Sequence, residues 1–149
     1  MIHYKIIPLL KLNKFITKYP DYVNDIEQLI TIHRKHPFSI TDFIKEDEQL
    51  TGKIIIFTEN NSIISIARTI KLQDQYKISA VFVKESHRGL KLCQRMLKQL
   101  INSYDKHTKF ALSVLVDNIP AIKCYEKLGF KIFEHLKYND TKIYNMINY

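Results

Sequence analysis

No apolar run in this chain approaches the roughly 20 residues that a membrane-spanning helix needs. The apolar start over residues 1–10 is short and carries Lys5, and does not resemble a signal peptide. Cysteine occurs twice, at Cys93 and Cys124, with neither CxxC nor metal-ligand spacing. With no recognisable Cys/His constellation, both are expected as small buried residues and no metal is expected. Linkers, internal repeats and low-complexity stretches are also missing, so residues 1–149 are expected to form one domain. These absences together predict a soluble, intracellular (cytoplasmic) protein without a membrane partner.

What is present is ordinary globular material. Of the 149 residues, 46% are hydrophobic and 26% charged, enough to bury a core without disulfide help and unlike a disordered chain. The net charge of +8 is spread along the chain. It permits an anionic partner, and it equally describes a solvated basic surface.

The hydrophobic period changes along the chain. Residues 2–8 read as an opening strand. Residues 21–35 carry Tyr22, Val23, Ile26, Leu29, Ile30 and His33 at helical spacing, with Asp21 as cap and Pro37 ending the pattern near His36. A short helical piece is expected after Thr41. Residues 53–58 and 62–70 are β-branched strands around an Asn60-Asn61 turn, and residues 75–83 follow as a third antiparallel strand. Leu92, Met96, Leu97, Leu100 and Tyr104 mark a strong amphipathic helix. Residues 110–116 are a continuous apolar strand. Asn118 then caps a short helix with Pro120 in its first turn and Gly129 as its left-handed stop. Residues 130–136 and 142–147 close as a hairpin around Asn139-Asp140.

The strand–helix–strand segment over residues 75–116 requires a parallel pair inside an otherwise antiparallel sheet. The expected architecture is a single α/β (α+β) domain, with a mixed sheet and helices on both faces.

Residues 81–93 carry the chemistry. A strand, Val81-Phe82-Val83, leads through a polar turn into the strong helix. Free N–H groups and the positive dipole end at such a helix start suit a phosphate. Arg88 adds charge and Gly89 permits close backbone approach. Arg88, Lys91, Arg95 and Lys98 also follow helical spacing, as an ordinary solvated basic face would.

This stretch resembles the acetyl-CoA loop of the GCN5-related N-acetyltransferase (GNAT) superfamily, Gln/Arg-x-x-Gly-x-Gly/Ala after the fourth strand. The run from Leu115 through Asn118, Tyr125 and Gly129-Phe130 is similar to the family's second signature. The first motif departs from the pattern: Lys91 stands where Gly is usual, and Cys93 where Gly or Ala is usual. Both positions are expected in a right-handed conformation that needs no glycine.

The resemblance implies an acetyl-CoA-dependent enzyme. Backbone groups of Val81, Phe82 and Val83 would bind the pantetheine arm, and the amides of Arg88, Gly89, Leu90, Lys91, Leu92 and Cys93 the pyrophosphate. Asn118 would help seat the arm where the fourth and fifth strands splay, and Tyr125 would protonate the leaving thiolate. Read without the resemblance, Asn118 is a helix cap and Tyr125 a core residue.

The implied reaction acetylates a primary amine, with a small amine or aminosugar favoured over a protein or peptide amine. Many relatives carry a basic Glu on the fourth strand. That strand here has no carboxylate, and Glu85, His87, Asp117, His33 and His36 are the alternatives, with a water chain to bulk solvent as the expected proton route. Two other classes compete. A non-catalytic acyl-CoA sensor would keep the fold, and a basic nucleic-acid binder has only charge to support it, with no groove-reading motif.

Overall fold

Two adjacent asparagines set the register of the central meander. Asn60 (φ 51°) and Asn61 (φ 61°) both adopt the left-handed region that a tight hairpin turn demands and that Asn tolerates. The flanking strands are β2 (Lys53–Glu59) and β3 (Ser62–Leu72), joined by β4 (Gln75–Val83) through a turn at Gln73. The remaining strands are β1 (Ile2–Pro8), β5 (Phe110–Leu115), β6 (Lys131–Tyr138) and β7 (Thr141–Ile147). The computed structural model describes residues 1–34, 37–47 and 49–149, and its seven strands form one sheet in the order β1-β2-β3-β4-β5-β7-β6. Only β4 and β5 run parallel, as the crossover required.

Helices cover both faces. On one lie α1 (Leu12–Lys18), α2 (Pro20–Arg34) and α3 (Asp42–Glu46), packing Leu12, Phe15, Ile26, Ile30 and Phe43 against Ile54, Ile56 and Ile66. On the other lie α4 (Leu92–Asn102) and α5 (Ile119–Lys127), packing Leu92, Met96, Leu97 and Leu100 against Ile55, Phe57 and Ala67. The alternation of Ile54, Ile55, Ile56 and Phe57 between the two clusters follows from the two-residue side-chain period of a strand.

Some expectations need correction. Helix α1 was not expected, and Asp21 lies inside the first turn of α2 and does not cap it. The ends expected at Lys35 and His36 lie outside the described residues. The strand over residues 110–116 is not covered throughout, since Leu115 is 47% exposed. Among the described residues no helix is long and apolar enough to cross a membrane, and no cluster of three or more His, Cys, Asp or Glu side chains gathers as metal ligands do.

Candidate active site

The site originates in an irregularity of β4. Ala80 takes φ 51°, and the pairing with β3 slips between Ile66 and Arg68 at this bulge. Bulges bend a strand and increase its twist. The parallel ladder with β5 holds only at Tyr76↔Phe110, Lys77↔Ala111 and Ile78↔Leu112. Beyond it the strands part. Val83 and Phe82 still pair with β3 on one edge, while among the described residues their β5-facing edge has no strand partner.

Where the strands part lies a cleft of about 890 Å³, within the range of ligand sites. It is lined by Val81, Phe82, Val83, Arg88, Gly89, Lys91, Leu92, Cys93 and Asn118, so nine of the ten residues expected at a coenzyme come together there. Leu90 does not line it, and its side chain is 53% exposed. Four cations, Arg88, Lys91, Lys123 and Lys127, stand along the cleft. The two α5 lysines were not singled out in the sequence, although their spacing of four residues puts them on one helical face.

The start of α4 has no side-chain cap, so the N–H groups of its first turn have no intrahelical partner. Gly89 (φ 84°) and Lys91 (φ 58°, ψ 26°) both take the left-handed conformation leading into it. This corrects the right-handed expectation for Lys91: the turn into α4 keeps the backbone shape that glycine serves in the family motif, and lysine bears the steric cost. A left-handed L-residue costs roughly 1–2 kcal/mol. Lys91→Gly should therefore raise stability by about 1 kcal/mol, or roughly 2–4 °C in thermal denaturation. An unchanged or lower melting temperature contradicts the strain.

Neighbouring contacts hold this turn in place. His87 Nε2 lies 2.9 Å from Glu59 Oε1 and its Nδ1 2.8 Å from Ser86 Oγ. The bond to His87 lowers the Glu59 carboxyl below its ordinary range, and clips the β2–β3 turn to the segment before α4. Arg88 Nε donates to the Val83 carbonyl at 3.4 Å, folding the guanidinium back over the end of β4.

Across the cleft, Asn118 caps α5 by accepting from the Ala121 N–H at 3.4 Å, and Pro120 lies in the first turn. Ala121 and Cys124 face the cleft. Tyr125, one residue on, is 6% exposed, is not among the cleft-lining residues, and meets the Phe130 ring edge-on at 6.4 Å. Burial pushes its phenol up to about 12. The group thus stays protonated throughout the neutral range.

The cysteines correct another expectation. Cys93 in the first turn of α4 and Cys124 in α5 form a disulfide, with Cα atoms 6.5 Å apart across 31 residues of sequence. Both sulfurs belong to the wall where the helices meet, and only Cys124 is fully buried. Such bridges persist in oxidising compartments and are rare in reducing ones.

An 890 Å³ cleft between splayed parallel strands, bordered by cations and an uncapped helix start, has the room and the charge to suit an anionic ligand. The chain belongs to the acetyltransferase (GNAT) family, whose profile matches residues 6–130. Solved structures agree in fold. Escherichia coli ElaA is 17% identical with a TM-score of 0.76, and the match covers 100% of each chain. The ribosomal-protein-S18-alanine N-acetyltransferase of Escherichia coli is 20% identical over 99% of this chain and 92% of that one, at a TM-score of 0.70. The yncA protein of Salmonella typhimurium, solved with its cofactor acetyl-CoA, is 14% identical over 98% of this chain and 92% of that one, at a TM-score of 0.67. A comparison with curated proteins gives no match.

Proposed function

We propose that this protein transfers an acetyl group from acetyl-CoA to a primary amine. One observation carries the reading: the β4 edge freed beyond Ile78 runs directly to the uncapped, cation-bordered start of α4. An extended polyamide arm ending in a diphosphate needs such a track. The free edge of Val81–Val83 serves the arm's amides, and the first-turn N–H groups of α4 with Arg88 serve the phosphates. Lys91, Lys123 and Lys127 add longer-range attraction.

The coenzyme supplies the acetyl group activated as a thioester. The chain supplies geometry, holding amine and carbonyl adjacent so that attack is effectively intramolecular. A backbone N–H of Phe82 or Val83 polarises the carbonyl oxygen. Tyr125, buried beside the cleft and protonated, gives its proton to the departing sulfur. We favour a small amine or an aminosugar over a protein or peptide amine as acceptor.

A second reading, a coenzyme-binding sensor without turnover, is favoured by the strained Lys91 and by the absence of a carboxylate on β4. Coenzyme binding itself is tested by thermal denaturation. Acetyl-CoA and desulfo-CoA should both raise the melting temperature, by an amount equivalent to about 2.7 kcal/mol at 100 times the dissociation constant. No shift with either ligand at about millimolar concentration rejects both readings.

A further inference from the structure

We infer that His33 is the general base of the proposed acetyl transfer, taking the proton that the attacking amine loses. This rests on the acetyltransferase reading and adds a residue to it. His33 stands near the end of α2, on the sheet face opposite α4 and α5, yet it lines the same cleft as Val81 and Val83. Its ring lies nearly parallel to that of Phe82, 5.0 Å away and inclined by 13°. Stacking occupies the face of an imidazole and not its in-plane nitrogens, and among the described residues neither nitrogen has a hydrogen-bond partner.

The other candidate bases fail on geometry. His87 lines the cleft, but Glu59 and Ser86 occupy both of its nitrogens. Glu85 and Asp117 are exposed and do not line it. His36 lies outside the described residues. Partial burial, together with the positive charge of Arg88, lowers the His33 pKa, against a smaller opposing effect of Glu85. Arg88 and Glu85, from the segment beyond β4, are the charged groups acting on it, while Phe82 on β4 is neutral. The neutral, proton-accepting imidazole is thereby favoured at neutral pH.

The step balances without any further reactant. The amine nitrogen forms a C–N bond to the acetyl carbon, and the C–S bond breaks. The proton lost from nitrogen goes to a His33 ring nitrogen and then to solvent, while the sulfur takes a proton from Tyr125, which solvent restores.

The test uses the intact protein and the fastest acceptor from a panel of aminosugars, polyamines and arylalkylamines. His33→Phe retains the stacked ring without the nitrogens, and His33→Ala opens a space for free imidazole. Each should lower kcat by about 10² or more, while the melting shift given by acetyl-CoA is kept. Added imidazole should restore part of the loss in His33→Ala. In the wild type, kcat should fall as pH drops below the ordinary histidine range, and this limb should vanish in His33→Phe. Ring NMR signals of His33 should move when desulfo-CoA is added and should titrate below the ordinary range. The inference is overturned alone if both variants keep kcat within about threefold with the acid limb intact, or if the His33 signal ignores the ligand. A wild type that binds acetyl-CoA but acetylates no amine overturns the enzyme reading and this inference with it.

Discussion

Tyr125→Phe should lower acetyl-transfer turnover by roughly 10² or more while leaving coenzyme affinity almost unchanged. The substitution keeps the ring and its edge-on contact with Phe130, and removes only the hydroxyl. With Tyr125 6% exposed, that hydroxyl is nearly enclosed, and burial alone accounts for the rise of its phenol to about 12. A phenol raised this far is protonated at neutral pH but is a weaker acid than a free phenol, so its contribution rests on its position beside the departing sulfur. Melting temperature should change little, since the core volume is conserved. Turnover within about threefold of the wild type would make Tyr125 a packing residue. An equal loss of turnover and binding would make its hydroxyl a coenzyme contact.

Phe110→Ala should have the largest effect on stability. Phe110 opens β5, is 1% exposed, and packs its ring against Tyr76 and Tyr104 at 6.1 and 5.4 Å. It also pairs with Tyr76 in the three-residue parallel ladder that holds the strands together before they part. Removing a buried phenyl ring costs about 3–5 kcal/mol. For a domain of this size the melting temperature should fall by roughly 10 °C. Because the ladder anchors the closed end of the cleft, coenzyme affinity should weaken as well. A melting temperature within about 3 °C of the wild type would contradict the anchoring role.

The sequence made plain whatever local chemistry determines. Asn60-Asn61 could only be a tight turn, and residues 75–83 are observed as β4 with the expected bounds. Asn118, Pro120 and Gly129 bracket α5 as cap, first-turn proline and left-handed stop (Gly129 φ 92°). Helix α1 was missed for a local reason too: it is only seven residues long, and Lys11 before it provides no side-chain cap.

The other omissions are tertiary. Nothing in Ser79-Ala80-Val81 announces a bulge, because alanine is not a residue that favours positive φ. The disulfide depends on α4 and α5 lying side by side, and its 31-residue separation carries no spacing signal. Lys91 misled for a related reason. Its place in the sequence suggested an ordinary helical turn, but the strand–turn–helix path imposes a left-handed residue there. His33 read as one more position in an amphipathic stripe. Only the packing of α2 on β4 brings it to Phe82 and the cleft.

The most direct measurement is thiol release from acetyl-CoA across the amine panel, with product identified by mass spectrometry and coenzyme binding followed in the same samples. The account predicts stoichiometric release of CoA thiol and a mass gain of one acetyl group on at least one amine. Saturable acetyl-CoA binding with no release above the rate of spontaneous hydrolysis, for every amine tested, would contradict it.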